Sequence, residues 1–327
     1  MKPICACWSL VLFVPAWALS QEKPSDVASS ALLHRIDPQT PQGLQELFRR
    51  TSDAMPIVSA HRGGAQQGFP ENCLATFENT LRHTFAMLEI DPRYTKDGEI
   101  VVHHDATLER TTSGRGRVAD FTLAELKQLR LRDTEGQITE FQIPTLDEAL
   151  RWARGKTIVV LDQKDVPVAA RIKKIQEHKA EGYAMLIVYS FKDVLACYAI
   201  NPNVMMEVMI PNREKFAEFD KLKVPWRNVV AFVGHNPPED LALYELIHAR
   251  GACCMIGTSR NLDRRILGME VKEIQSLETE YRALLQRGAD LIETDIPAQL
   301  GPLLYRATPV PSSKKTHFHA AIRTSQN

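Results

Sequence analysis

From Pro56 onward the chain alternates short apolar runs with amphipathic stretches, and this alternation limits its fold more than any other feature. The apolar runs lie near 57–60, 87–91, 99–103, 157–162, 185–189, 204–208, 229–233, 252–256 and 290–294. Helical patterns separate most of them, at 74–84, 145–154, 167–179, 191–199, 213–221, 238–250 and 271–287. Repeated strand-helix alternation predicts a parallel sheet with helices packed outside it. One of the nine runs does not belong to the series, because Asp97-Gly98 is a two-residue hairpin signal that turns the 99–103 run back on its predecessor. Eight runs remain, the number that closes a (β/α)8 TIM barrel. The fold class is therefore α/β, with a small insertion over about 106–144, after the second barrel strand, and an N-terminal arm over 21–55, weakly helical at 32–36 and 42–50, that is expected to pack on the outside of the main domain.

Several strand ends in this series carry ionisable groups, where a barrel places its active site. In Met87-Leu88-Glu89-Ile90-Asp91 the two acids alternate onto one face. Two acids on an interior face are costly unless neutralised, and a hard divalent cation does this with oxygen ligands. If Asp97 and Gly98 form the turn, Asp91 pairs with His104 and both share that face, whereas a one-residue slip would substitute His103. His61 ends the first run and is followed by Arg62-Gly63-Gly64, in which the glycines admit a close ligand and the arginine suits a phosphate. Asp162 and Lys164 share a face at the end of Ile158-Val159-Val160-Leu161. Asp162 and Lys164 could form a plain ion pair, but two histidines, an arginine and a metal-grade pair of acids describe metal-assisted phosphoryl chemistry.

His61-Arg62-Gly63, Pro70-Glu71-Asn72, Glu89-Ile90-Asp91, Thr95-Lys96-Asp97-Gly98, His104-Asp105 and Arg110-Thr111-Thr112, in this order, resemble the glycerophosphodiester phosphodiesterase family. With Thr294-Asp295-Ile296-Pro297 the resemblance covers residues 56–305. It too implies a TIM barrel, and it implies hydrolysis of glycerophosphodiesters to sn-glycerol 3-phosphate and an alcohol. His61 and His104 would be the catalytic acid and base, in an order the sequence leaves open. Glu89, Asp91 and Asp162 would hold Ca²⁺ or Mg²⁺, and Arg62, Asn72 and Lys164 would bind substrate. Glu71 and Glu207 are further candidates, Glu71 as a metal or supporting group. Asn72 alternatively caps the following helix. Three positions depart from the family pattern: Asp162 replaces its usual Glu, Cys73 its usual Thr, and Cys254 to Thr258 its Trp-Thr pair. Two other readings stand beside this one. One is a phospholipase D-type relative acting on sphingomyelin or lysophospholipids, and the other is a non-catalytic secreted binding protein on the same barrel.

The remainder of the chain bears on location and partners. Lys2, the apolar run 8–14 and Ala18-Leu19-Ser20 read as a signal peptide over 1–20, which implies a secreted or periplasmic protein with no stable membrane insertion after cleavage. Lys+Arg and Asp+Glu balance at 40 each, so no basic surface suggests nucleic acid, and the partner expected is a small phosphodiester. The oligomeric state is left open. Cys73, Cys197, Cys253 and Cys254 remain after cleavage, and their pairing is also open. Asp295 is expected to hold the final loop, His83, His103, His178, His235 and His248 to be ordinary, and 306–327 to be a disordered tail.

Overall fold

Eight short strands close into a parallel barrel in their order along the chain. They are β1 (Ile57–Ala60), β2 (Met87–Ile90), β3 (Val159–Leu161), β4 (Ala184–Val188), β5 (Met205–Met209), β6 (Val229–Gly234), β7 (Cys253–Gly257) and β8 (Leu291–Thr294). The computed structural model describes residues 32–51, 56–270, 272–306 and 310–321, so the expected signal peptide lies outside the described residues. Period-two alternation divides each strand between two cores. Ile57, Met87, Val160, Met185, Met205 and Leu291 point into the barrel, while Val58, Leu88, Val159, Leu186, Met206 and Ile292 pack under the helices. Cys253 and Cys254 fall on opposite sides accordingly, and the four described cysteines are all buried free thiols.

The outer helices begin where the sequence has capping residues. Thr145 and Glu148 form a reciprocal capping box ahead of Leu146–Ala153, and Ser190 accepts from Asp193 N–H ahead of Phe191–Ile200. Two helices were not read in the sequence: Leu262–Leu267 after β7, and Pro297–Tyr305, which follows β8 and packs on the Leu74–His83 helix. Residues 106–144 interrupt the alternation as expected. They hold one capped turn of helix (Leu123–Leu126) and a small core of Leu108, Val118, Leu126, Leu131 and Ile143, which packs against Val101 and Cys73.

Three expectations need correction. Leu32 to Ile36 is not helical; Arg35–Ile36 is a short strand paired antiparallel with Phe318–His319. The tail is thus ordered over 310–321, where the Lys314 ammonium reaches the carbonyls of Glu46 and Arg49. With the capped helix Pro41–Leu47, these segments put Ile36, Leu44, Leu47, Phe48 and Phe318 into the same core as the barrel interior. The arm therefore plugs the N-terminal end of the barrel instead of packing outside it. The third correction is the hairpin register. Pro92–Tyr94 pairs with Ile100–Val102 so that Arg93 faces Val101, and His103 N–H donates to the Asp91 carbonyl at 2.8 Å. The connection has three residues, not two, because the Thr95 hydroxyl accepts Glu99 N–H at 3.0 Å and Gly98 takes φ 81°.

Candidate active site

At the C-terminal end of the barrel the apolar interior gives way to acids. Glu89, Asp91, Asp162, Glu207 and Glu293 are at most 7% exposed, and all are set by the alternation that places Met87, Val160, Met205 and Leu291 below them. A cavity of about 700 Å³ opens above, lined by His61, Arg62, Glu71, Glu89, His104, Asp162, Lys164 and Glu207 among others. Eight of the ten candidate site residues thus line one cavity. Asp91 lies behind it, and Asn72 is buried still further out.

Carboxylate oxygens of Glu89, Asp91 and Asp162 lie within 4.8 Å of one another, a spacing that lets one ion touch all three. The set is all oxygen, which suits a hard divalent cation. Electrostatics support the fit. Burial, with Asp91, Asp162 and Glu293 nearby, pushes the Glu89 carboxyl well above the usual range, a strain that a bound cation would relieve. Lys164 supplies partial compensation: its ammonium contacts Asp162 and sits 3.0 Å from Asp91 Oδ1. Asp162 is fixed further by the Tyr189 hydroxyl, which donates to it at 2.6 Å.

Asn72 does not cap the Leu74–His83 helix, whose N-cap is Cys73, and it touches neither His61 nor the cavity. Held in left-handed backbone at φ 56°, it donates from Nδ2 to Asp91 Oδ2 at 2.6 Å and accepts Asp91 N–H at 3.1 Å. It positions Asp91. Glu71 likewise is outside the three-acid cluster: Arg62 donates to it at 3.1 Å and Arg110 at 2.7 and 2.8 Å. Glu71 therefore orients arginines. Glu207 faces the cavity, its carboxyl raised well above the usual range by burial and the Glu293 and Asp162 charges, but it too lies outside the cluster.

Both histidines reach the cavity. His61 leaves β1 on a left-handed run, Arg62 at φ 53° and Gly63 at φ 83°, where a Cβ on Gly63 would meet the Phe77 ring at 2.3 Å. This turn aims the Arg62 amide at Glu89 Oε2, 2.7 Å away. His104 reaches the site despite the shifted register, because the strand ends at Val102 and the chain turns. His103 is the buried one, bonded to the Thr111 hydroxyl and the Asp105 carbonyl, both at 2.9 Å.

Each cavity imidazole is held through Nδ1 by its own carboxylate. His61 pairs with Asp295 at 2.6 Å and His104 with Asp105 at 2.7 Å, and Asp105 is gripped by the Arg110 guanidinium. Asp295 thus orients a histidine, a role the sequence reading did not assign; the signal was its alternation with Glu293 at the end of β8. The two rings differ electrostatically. Burial alone would depress the His61 pKa, but the Asp295 hydrogen bond and the Glu293 and Asp295 charges outweigh it, so the pKa is raised. Burial lowers that of His104, and the charges of Arg62 and Lys164 reinforce this against Asp91 and Asp105. Arg62 Nη2 is 2.8 Å from His104 Nε2 and can only donate, so that nitrogen accepts and the ring is neutral.

His235, expected to be ordinary, also lines the cavity, its pKa pushed down to about 4 by burial and the Arg260 charge. A Cβ on Gly257 would lie 2.4 Å from its Nδ1, so that glycine makes room for the ring.

Residues 61–223 match the Glycerophosphoryl diester phosphodiesterase family. A glycerophosphoryl diester phosphodiesterase of Parabacteroides distasonis, known by crystal structure, is 39% identical with a TM-score of 0.83, over 88% of this chain and 99% of that one. A glycerophosphodiester phosphodiesterase of Caldanaerobacter subterraneus is 40% identical over 105 residues, 32% of this chain and 43% of that protein. The bovine glycerophosphodiester phosphodiesterase 1 is 38% identical over 138 residues, 40% of this chain and 41% of that protein. The chain thus spans less than half the length of these two curated relatives. A phosphodiesterase of Oleispira antarctica, solved with the product sn-glycerol-3-phosphate, shares the fold at 24% identity and a TM-score of 0.56, over 76% of this chain and 96% of that one.

Proposed function

The chain belongs to the glycerophosphoryl diester phosphodiesterase family, and from that premise we propose that it hydrolyses glycerophosphodiesters to sn-glycerol 3-phosphate and an alcohol with His61 as general acid and His104 as general base. The observation that carries the reading is the pair of imidazoles, each held at Nδ1 by a carboxylate, beside a three-acid cluster in one cavity.

Environments that push two titratable groups apart divide acid from base. His104 Nε2 offers a lone pair and takes the proton of the nucleophile, which is either water or the neighbouring hydroxyl of the substrate's glycerol, the latter forming a cyclic phosphate that water then opens to the monoester. His61, protonated more readily, gives its Nε2 proton to the departing alkoxide. Asp295 and Asp105 hold the two rings in the tautomer that keeps Nε2 toward the reaction. Arg62 binds a phosphate oxygen through its planar fork, and the oxygen's competition for that guanidinium releases His104. Lys164 adds a second positive charge beside the phosphate. Glu89, Asp91 and Asp162 would hold Ca²⁺ or Mg²⁺, which when bound supplies charge neutralisation at a non-bridging phosphate oxygen. The signal-like 1–20 segment supports export, with Gln21 as the expected first residue of the mature chain.

Incubation with glycerophosphocholine, followed by enzymatic assay of the products, tests the reading. It predicts equimolar sn-glycerol 3-phosphate and choline. Release of choline phosphate and glycerol would place the cleaved bond elsewhere, and faster turnover of lysophosphatidylcholine than of glycerophosphocholine would favour a phospholipase-type activity.

A further inference from the structure

The phosphate-handling groups occupy one side of the cavity, on the loops after β1, β2 and β3. Around the eight-strand ring, β6 and β7 lie opposite β2 and β3. Their loops carry His235, Ser259 and Arg260, and the following helix Leu262–Leu267 carries Arg264; all four residues line the cavity. This far wall differs in charge from the floor. Below lie the buried acids Glu207 and Glu293, whereas Arg260 and Arg264 are exposed on the rim.

The other cavity cations are already engaged, Arg62 by Glu71 and Lys164 by Asp91 and Asp162. The guanidinium groups of Arg260 and Arg264 make no ion pair or hydrogen bond with any described residue, although 15 other arginines and lysines contribute to the ion pairs among the described residues. Their backbone is nonetheless well anchored. Asn261 Nδ2 donates to the His235 carbonyl, and the buried Asp263 accepts from the Tyr281 hydroxyl at 2.7 Å, the Thr294 hydroxyl at 2.9 Å and Asp295 N–H at 2.8 Å. A fixed segment thus presents two free guanidinium groups to the cavity, one on each side of Asp263. Such groups bind carboxylates and phosphates, in favourable cases bidentately, and repel a cationic headgroup. Burial depresses the His235 pKa first, and the Arg260 charge lowers it further.

We propose that Arg260 and Arg264 bind an anionic substituent on the alcohol half of the diester, so that the protein prefers glycerophosphodiesters whose alcohol bears a carboxylate or a second phosphate. This rests on the phosphodiesterase reading above. Phosphate at the His61–His104 side and a second anion at the far wall would place the two charged ends of one substrate across the barrel mouth.

Two substrate pairs test it: glycerophosphoserine against glycerophosphoethanolamine, which differ by one carboxylate, and glycerophosphoglycerol with and without a terminal phosphate. The expected result is a kcat/KM about tenfold or more higher for the anionic member of at least one pair, falling as salt rises. The double variant Arg260→Glu/Arg264→Glu should invert that ratio, a change of sign that misfolding does not produce. A wild-type ratio at or below one in both pairs, or a ratio unchanged in the double variant, overturns the proposal. Should no diester be hydrolysed, the proposed function itself falls, whereas turnover without charge preference removes only this subsite. The wild-type ratio and its salt dependence decide the matter even if the variant does not fold.

Discussion

The substitution Asp295→Asn tests the division of labour between the two imidazoles. In the native site Asp295 Oδ1 lies 2.6 Å from His61 Nδ1, with side-chain exposures of 24% for the ring and 30% for the acid. A hydrogen bond to a charged group contributes about 1.5–3 kcal/mol, and partial exposure favours the lower end through solvent screening. Since one pH unit corresponds to about 1.36 kcal/mol, loss of the carboxylate should lower the His61 pKa by about one pH unit. The sign follows from the proposed role. A general acid must be protonated, and the carboxylate raises the pKa at which it loses its proton. The alkaline limb of kcat/KM against pH should therefore move down by about one pH unit, with about a tenfold loss on that limb. Hydrolysis of glycerophosphocholine across pH 5–10 measures it. An alkaline limb that stays in place while the acid limb moves would exchange the roles of His61 and His104, and no movement of either limb would refute the argument from Asp295.

Other substitutions probe separate parts of the account. Asp105→Asn removes a group that raises the His104 pKa, so in the same assay the acid limb, set by the base, should move to lower pH while the alkaline limb holds. Gly63→Ala meets both a φ of 83° and the Phe77 ring at 2.3 Å, and should cost about 2–4 kcal/mol in urea unfolding through strain and overpacking. Gly68→Ala has a similar φ of 78° with open space and should cost only about 1–2 kcal/mol; equal losses in the two would remove Phe77 from the argument.

The sequence showed the barrel because each strand is dominated by apolar residues and seven of the eight are followed by a helical period, a signal carried by local residues. It showed the acid cluster for the same reason: alternation along β2 and β3 puts Glu89, Asp91 and Asp162 on the interior face. What it concealed depends on turns and on contacts distant in the chain. Asp97-Gly98 reads as a two-residue turn, and only the Thr95 side chain, by accepting Glu99 N–H, adds the third residue. His104 still reaches the cavity, by leaving the ladder and not by keeping its register. Asp295, 234 positions from His61, could be read as an acid on an interior face but not as the partner of one particular ring. Asn72 looked like a substrate ligand and Glu71 like a metal or supporting group, and folding sets the first against Asp91 and the second against the arginines. Pairing of Arg35–Ile36 with Phe318–His319 joins two segments far apart in the sequence, and neither is periodic enough to announce it.

The proposed catalytic roles are arranged around a divalent ion that Glu89, Asp91 and Asp162 would share. Metal can be stripped with a chelator and Mg²⁺ or Ca²⁺ then titrated back by calorimetry, with glycerophosphocholine turnover followed on the same sample. The prediction is that turnover is lost on stripping and returns in step with the filling of a single site, and that Glu89→Gln weakens binding about ten- to a hundredfold and shifts both curves together. Full turnover in the stripped protein, or metal affinity indifferent to Glu89→Gln, would contradict it.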